Sequence, residues 1–450
     1  MILLILFVVF QMMRVQQARK LRGEVRLPGD KSISHRVGMF SALADGVTRI
    51  ENFASSADCA STLDVLRSLG VKIERDGATV TVQGVGLNGL RESDGSLDCG
   101  NSGTTMRLMS GILAGQPFES VLVGDESLQS RPMKRVIAPI ELMGAAVESE
   151  NGRAPLRVSG RFPLAAIEYQ SPVASAQIKS CVLLAGLFAD GETAVTEPVL
   201  TRDHTERMLR WFGVDVVSAG LRHSVRGGSR LTACDLIVPA DISSAAFLMV
   251  AAACLPGSDV VMPNVGLNPA RRGIIDVMRR FGAQIEVRNE REQCNEPVGD
   301  IVVSGLALPP RPSATPPIQG GEFNRLEGSV IADVIDEIPV LAVLGTQLEG
   351  GLEVRDAGEL RVKESDRIST VVENLRRMGA EIEEFPDGFC VKRSQLKGAT
   401  VDSFHDHRIA MAFGVAGLFA DGPTEIVGAE CAAVSFPDFF EVLEKCSVTD

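Results

Sequence analysis

The chain has 450 residues, 45% of them hydrophobic and 23% charged, which supplies sizeable cores and excludes a disordered or collagen-like chain. A formal net charge of −13 with one Trp and one Tyr argues against nucleic acid or an anionic membrane as partner. Phosphate backbones need clustered cations, and single strands need aromatic platforms. The nine cysteines are scattered and form no CxxC pair. That usage fits a reducing cytoplasm and neither a disulfide framework nor a zinc site.

The chain opens on MILLILFVVF, residues 1–10. This run is too short to span a bilayer. No basic stretch precedes it and no small-residue cleavage site follows it. Residues 1–20 read as an apolar extension of a cytoplasmic enzyme with no stable membrane insertion; a weak anchor is the rival reading. Globular patterning is expected from Leu21.

From there a pattern of apolar-x-x-apolar-Gly-small-x-apolar recurs. It occupies Leu66–Ile73, Ile140–Val147, Leu209–Val216, Met278–Ile285 and Leu375–Ile382, with a degenerate copy at Leu443–Val448 that has Ser447 in place of Gly. The copies lie about 70 residues apart, except for one longer interval, and such a period marks a repeated unit. Each copy predicts a helix end, a Gly turn and a strand. Between copies an apolar run ends in a turn at Gly46, Gly115, Gly191, Gly257, Gly350 and Gly422. Those runs predict buried helices followed by strands. The long interval contains residues 308–321, LPPRPSATPPIQGG, which read as a loop insertion. The expectation is an α/β (α+β) chain of six βαβαββ-like units. They divide into three and three near Pro239–Asp241, with one domain over 30–241 and a second over 21–29 plus 242–450.

Eight polar motifs stand at entries to apolar helices or within apolar runs. In PGDKSISHR, residues 28–36, Asp30, Ser32 or Ser34 caps a helix, and Lys31 and Arg36 add charge at its anion-attracting N-terminus. A capped helix with surface charges explains the motif equally well. GNSGTTMR, residues 100–107, forms a tight polar turn in which Gly103 lets a ligand approach the backbone. SRPMKR, residues 130–135, reads as a basic helix start with Pro132 in its first turn. SAQIK, residues 175–179, puts Ser175 and Gln177 at the mouth of a buried helix, for capping or for a ligand. TRDHTE, residues 201–206, contributes Arg202. In IDEIP, residues 335–339, Asp336 and Glu337 break an apolar run, where carboxylates are usually paired or functional. LRVKESDR, residues 360–367, holds Lys363, Glu364 and Arg367. HDHR, residues 405–408, holds Arg408; its two histidines lack a third ligand at metal spacing. An acidic protein that gathers cations in its loops binds small, highly charged anions, and carboxylates among those cations can move protons.

As a set, PGDKSISHR, GNSGTTMRL, SRPMKR, SAQIK, TRDHTE, IDEIP, LRVKESDR and DHRIAMAF closely resemble the EPSP synthase (3-phosphoshikimate 1-carboxyvinyltransferase) family, in family order from about Leu21 onward. The resemblance implies two domains of three units each, an inside-out α/β barrel, with the active site in the cleft between them. It implies transfer of the enolpyruvyl group of phosphoenolpyruvate to the 5-hydroxyl of shikimate 3-phosphate by a cytoplasmic monomer, with no metal and no organic cofactor. Lys31, Ser32, Arg36, Ser175, Ala176, Gln177, Arg202, Asp336 and Lys363 are then expected on shikimate 3-phosphate. Lys31, Gly103, Arg131, Gln177, Arg367 and Arg408 are expected on phosphoenolpyruvate. Asp336 is the implied base on the 5-hydroxyl, and Lys31 and Glu364 the implied proton handlers.

The chain departs from the family pattern in places. Ala176 stands where some relatives have a second Ser, Arg202 where some have Tyr, and Val434 where many have Lys. Gly103 matches relatives inhibited by glyphosate, whereas the GDK, SAQIK and RDHTE motifs resemble the more tolerant class. The sister UDP-N-acetylglucosamine enolpyruvyltransferases share the repeat but use a reactive Cys near the Arg131 position. This chain has no Cys between Cys99 and Cys181. A non-catalytic anion-binding relative is the remaining alternative.

Overall fold

Hydrophobic patterning sorts the helices into two groups. Lys31–Leu43, Gly103–Ala114, Ala176–Gly186, Ile242–Cys254, Ile338–Gly345 and His407–Gly417 are buried along most of their length, the first with several polar side chains inside. Ala57–Ser68, Lys134–Leu142, His204–Trp211, Gly273–Arg280, Arg367–Arg377 and Phe439–Cys446 bury one side and lie outside them. The structure, a computed structural model, describes residues 12–305 and 324–449. The proline-rich segment 308–321 and the apolar run 1–10 lie outside the described residues.

Each outer helix ends at the predicted turn. Gly70, Gly144, Gly213, Gly282 and Gly379 have φ between 84° and 100°, a region closed to most side chains. The strands Lys72–Asp76, Ala146–Glu150, Val216–Ala219, Gln284–Gln293 and Ile382–Phe385 come next. In the degenerate sixth copy, Ser447 has φ −79° and ψ 134°. The helix there passes straight into the strand Ser447–Val448, so no glycine is required.

One sheet order recurs. Leu97–Asp98 runs parallel to Glu119–Val123, which pairs antiparallel with Arg153–Ser159 and, beyond it, Ala146–Glu150. The same order is built on the central strands Ala44–Glu51, Glu192–Thr196, Asp259–Gly266 and Leu352–Val354. In the sheet on Asp259–Gly266, the parallel neighbour is Lys20–Glu24, near the start of the chain.

The sixth sheet corrects the boundary expected at residue 21. Thr424–Val427 runs parallel to Thr400–Asp402 and pairs on its other edge with Met13–Val15. Val15 and Ala18 are buried, and the Ala18 N–H donates to the Leu418 carbonyl at 2.8 Å. The last strand of the sixth copy pairs instead with Lys20–Glu24. The N-terminal strand fills the edge that the sixth copy leaves open.

The apolar side chains form two cores. One runs from Ile33 to Val238 in sequence; the other takes Val15–Leu27 and most buried apolar residues from Ala240 to Cys446. The chain crosses between them twice, side by side. The Asp30 N–H donates to the Pro239 carbonyl at 2.8 Å, and the Asp241 N–H to the Pro28 carbonyl at 3.0 Å.

Candidate active site

The buried helices begin at polar caps. Asp30 accepts from the Ile33 N–H, Ser102 from Thr105, Ser175 from Ile178, Asp241 from Ser243 and Asp406 from Arg408. These N-termini, together with the segment before Ile338, line one cavity of about 480 Å³ that draws on both cores. Free N–H groups and positive dipole ends therefore converge on one place.

All the residues expected at the site line this cavity: Lys31, Ser32, Arg36, Gly103, Arg131, Ser175, Ala176, Gln177, Arg202, Asp336, Lys363, Glu364, Arg367 and Arg408. Arg131 is placed differently from expectation. Asp125 caps a short helix, Glu126–Ser130, and Arg131 follows as its C-cap, ahead of the next helix at Lys134. Its Nη2 donates to Asn101 Oδ1 at 2.7 Å and to Ser127 Oγ at 3.0 Å. Val434 is half-buried and is not among the lining residues.

On the side of the first core, Lys31 Nζ lies 3.1 Å from Asp58 Oδ2. Burial alone would lower its pKa, but Asp58 and Glu364 outweigh that and raise it, so the ammonium is charged at neutral pH. Arg36 is buried, with Nε on Thr205 Oγ1 and Nη2 on Ser180 Oγ, both at 2.8 Å. Burial brings its pKa down to about 10, still cationic at pH 7. Gln177 accepts from Arg107 Nη1 at 2.7 Å and donates to Thr104 Oγ1 at 3.0 Å.

The second core contributes the carboxylates. Asp336 Oδ2 accepts from Arg202 Nη2 at 2.6 Å, and its carboxylate lies 3.6 Å from both Arg271 and Arg367 and 3.9 Å from Arg408. Burial would push the Asp336 carboxyl up, but Arg408, Arg202, Lys363 and Arg271 hold it well below the usual carboxylate range. Glu364 accepts from Arg367 Nη2 at 2.6 Å and faces Arg131 at 3.8 Å. Burial raises its pKa, and Arg367, His407, Arg131 and Lys31 more than reverse that. Both groups are ionised at neutral pH. Arg367 is fixed by Asp406, whose Oδ2 lies 2.8 Å from Nε. Lys363 pairs with Glu359 at 3.1 Å.

Asp58, Arg107, Asp241, Arg271 and His407 also line the cavity, beyond the residues expected from sequence. Arg107 carried a signal, since it stands four residues after Gly103 on the same helix face. Arg271, in NPARRG, carried none, because the docking of distant elements brings it to Asp336. Among the described residues no group of three His, Cys, Asp or Glu side chains is set to hold a metal ion. A second cavity of about 810 Å³ lies at the far ends of the Lys31–Leu43 and Ala176–Gly186 helices and contains none of the expected site residues.

The family model for EPSP synthase (3-phosphoshikimate 1-carboxyvinyltransferase) matches residues 15–443. The chain belongs to this family. A curated member from Brevibacillus brevis, named 3-phosphoshikimate 1-carboxyvinyltransferase, is 51% identical, with 97% of this chain and 100% of that one covered. The protein of that name from Bacillus subtilis is 49% identical, over 97% and 99%. Among solved structures, EPSP synthase from Acinetobacter baumannii superposes with a TM-score of 0.86 at 42% identity, covering 97% and 98%. The mixed α/β fold is therefore that of the family's solved structures.

Proposed function

We propose that this chain transfers the enolpyruvyl group of phosphoenolpyruvate to the 5-hydroxyl of shikimate 3-phosphate, releasing phosphate and 5-enolpyruvylshikimate 3-phosphate for aromatic biosynthesis. One observation carries the reading. The buried-helix N-termini and the cations Lys31, Arg36, Arg107, Arg131, Arg202 and Arg408 meet in one cavity around two ionised carboxylates, Asp336 and Glu364. Two phosphates and two carboxylates must share that pocket, and guanidinium forks suit both groups.

In this reading Ser32, Arg36, Ser175, Ala176, Gln177 and Arg202, with Lys363, hold shikimate 3-phosphate. Lys31, Gly103, Arg131, Gln177, Arg367 and Arg408 hold phosphoenolpyruvate. Asp336, being ionised, accepts the 5-hydroxyl proton as the oxygen attacks C2. Lys31 is protonated and is the donor on hand when C3 takes up a proton. Glu364, also ionised, accepts a proton as the tetrahedral intermediate loses phosphate. The two cores are read as domains, 30–241 and the remainder from residue 13 onward, each an inside-out barrel of three units with the cleft between them.

The test is phosphate release from phosphoenolpyruvate with shikimate 3-phosphate and, separately, UDP-N-acetylglucosamine as acceptor. Release with shikimate 3-phosphate alone supports the reading, and release with the nucleotide sugar alone overturns it. The cysteines speak against the sugar. Cys59, whose thiol lies 3.6 Å from the Lys31 carbonyl, is pushed up to about 12 by burial, and Cys181 likewise. Neither offers a thiolate at pH 7.

A further inference from the structure

Behind Arg36 lies a buried ionic cluster that substrate cannot touch. Lys179 is 0% exposed, and its Nζ sits 2.8 Å from Glu197 Oε2 and 2.8 Å from Glu206 Oε1. His223 closes the group, with Nε2 3.6 Å from Glu197 and Nδ1 3.4 Å from Glu206. Glu197, Glu206 and His223 are all buried. A buried lysine between two carboxylates is a poor device for stability alone, since apolar packing of equal volume serves as well. Its placement gives it another use.

Lys179 and Ser180 are neighbours on one helix; Thr205 and Glu206 are neighbours on another. Lys179 binds Glu206, and one residue along Ser180 Oγ meets Thr205 Oγ1 at 2.6 Å. Those two hydroxyls are the platform on which the Arg36 fork rests. Ser180 donates its own proton to the Ala176 carbonyl at 2.6 Å. Thr205 is therefore the donor between the two hydroxyls, and both oxygens can accept from Arg36. Lys179 also reaches the loop that carries Arg202, because Nζ donates to the Thr201 carbonyl at 3.5 Å and Thr201 Oγ1 donates to Glu197. Glu206 is the strongest nearby attraction on Arg36.

We propose that Lys179, clamped between Glu197 and Glu206, is a positioning residue that sets Arg36 and Arg202 for shikimate 3-phosphate; this rests on the function proposed above. Lys179 acts by fixing two helices and one loop relative to each other, so the two guanidinium groups are held apart and pre-aimed at one anion.

The test compares wild type with Lys179→Arg and with the double variant Lys179→Met/Glu206→Gln, which keeps the cluster's net charge while removing the clamp. KM for each substrate, kcat, thermal midpoint and calorimetric affinity for shikimate 3-phosphate are measured. In the double variant, KM and Kd for shikimate 3-phosphate should rise about tenfold or more while KM for phosphoenolpyruvate stays within about twofold. Lys179→Arg should recover part of the loss. Equal losses on both substrates, or a loss that only tracks the folded fraction, would overturn the proposal, as would unchanged constants in folded protein. If the double variant fails to fold, Glu197→Gln removes one arm and should raise the shikimate 3-phosphate constants alone, by about threefold to fivefold. A change on both substrates, or none, counts against the clamp. Wild type that binds shikimate 3-phosphate without turnover refutes the function reading and leaves the Kd comparison to judge Lys179.

Discussion

Arg202 Nη2 donates to Asp336 Oδ2 at 2.6 Å, joining a loop of the first core to the segment before a buried helix of the second. The bond spans the cavity in which substrate is proposed to sit, so it must be shared or broken when the 5-hydroxyl arrives. Asp336 is thus a contact between the cores as well as the proposed base. Asp336→Asn keeps a hydrogen-bond acceptor for Arg202 and abolishes the base. The expected outcome is a fall in kcat of about 10²–10⁴ with the thermal midpoint lowered by only a few degrees. Calorimetric melting beside phosphate-release kinetics decides it. A collapsed midpoint would make Asp336 a structural residue.

Lys31 Nζ lies 3.1 Å from Asp58 Oδ2, and Asp58 and Glu364 together keep it charged. Lys31→Met removes a cation of the cavity and the proposed proton donor in one step. Turnover should fall by about 10³, within the range of general acid–base catalysis. Near-normal kcat with a raised KM would keep Lys31 as a binding residue and strip it of the chemistry.

An added Cβ at Gly103 would come within 2.9 Å of Arg107 Nη1 and 3.6 Å of Arg131 Nη1. The Arg107 guanidinium would have to shift, while Arg131 would be met at ordinary contact distance, both beside the space proposed for phosphoenolpyruvate. Gly103→Ala is expected to raise KM for phosphoenolpyruvate about tenfold and to change KM for shikimate 3-phosphate by about twofold or less. Unchanged constants would mean that Arg107 relaxes freely.

Local patterning makes the helix-to-strand turns legible, because a Gly with positive φ after an amphipathic helix leaves a mark at each repeat. The site motifs are legible for a similar reason: each sits at the capped start of an apolar helix, as Asp30 and Ser175 do. Placement that depends on distant docking is not. Arg271 comes within 3.6 Å of Asp336 through the packing of separate segments. Arg131 ends one helix instead of starting another, because Asp125 caps a helix of only five residues, too short to show a periodic apolar face. The strand Met13–Val15 is too short for a visible alternation, and its partner lies at the other end of the chain.

Buried histidines should make the fold acid-sensitive. His35 is buried, with Nδ1 2.6 Å from Thr62 Oγ1, and burial together with Lys31 and Arg36 holds its pKa well below the usual value. Burial first, and then Lys31, brings His407 down to about 3. Below pH about 6.5 the unfolded chain takes up protons that the folded chain refuses, so stability falls as pH drops from there toward the folded pKa. Each such histidine contributes a slope of about 1.4 kcal/mol per pH unit. The depressed carboxylates Asp336 and Glu364 add their own loss only below pH about 4, as their unfolded forms protonate. Urea titrations at pH 7, 6 and 5 should show this decline, and His35→Asn should flatten it. Identical slopes in wild type and variant would remove His35 from the account.

The strand Met13–Val15 supplies an edge of the sixth sheet, and the residues between it and Lys20 are also tied down. Val15 packs where Gly417 leaves room, since a Cβ there would lie 3.0 Å from the Val15 side chain. The Arg19 N–H donates to the Val448 carbonyl at 2.8 Å, linking the two chain ends. A chain beginning at Lys20 loses the strand pairing, these bonds and the burial of Val15 and Ala18. Together they are worth about 2–4 kcal/mol. It also exposes an unpaired edge on Thr424–Val427, which invites association. Compared with a chain beginning at Met12, it should melt about 5–10 °C lower and aggregate more readily, while its phosphate release at low temperature persists because no lining residue is removed. Equal midpoints would show that the sixth sheet holds without its N-terminal strand.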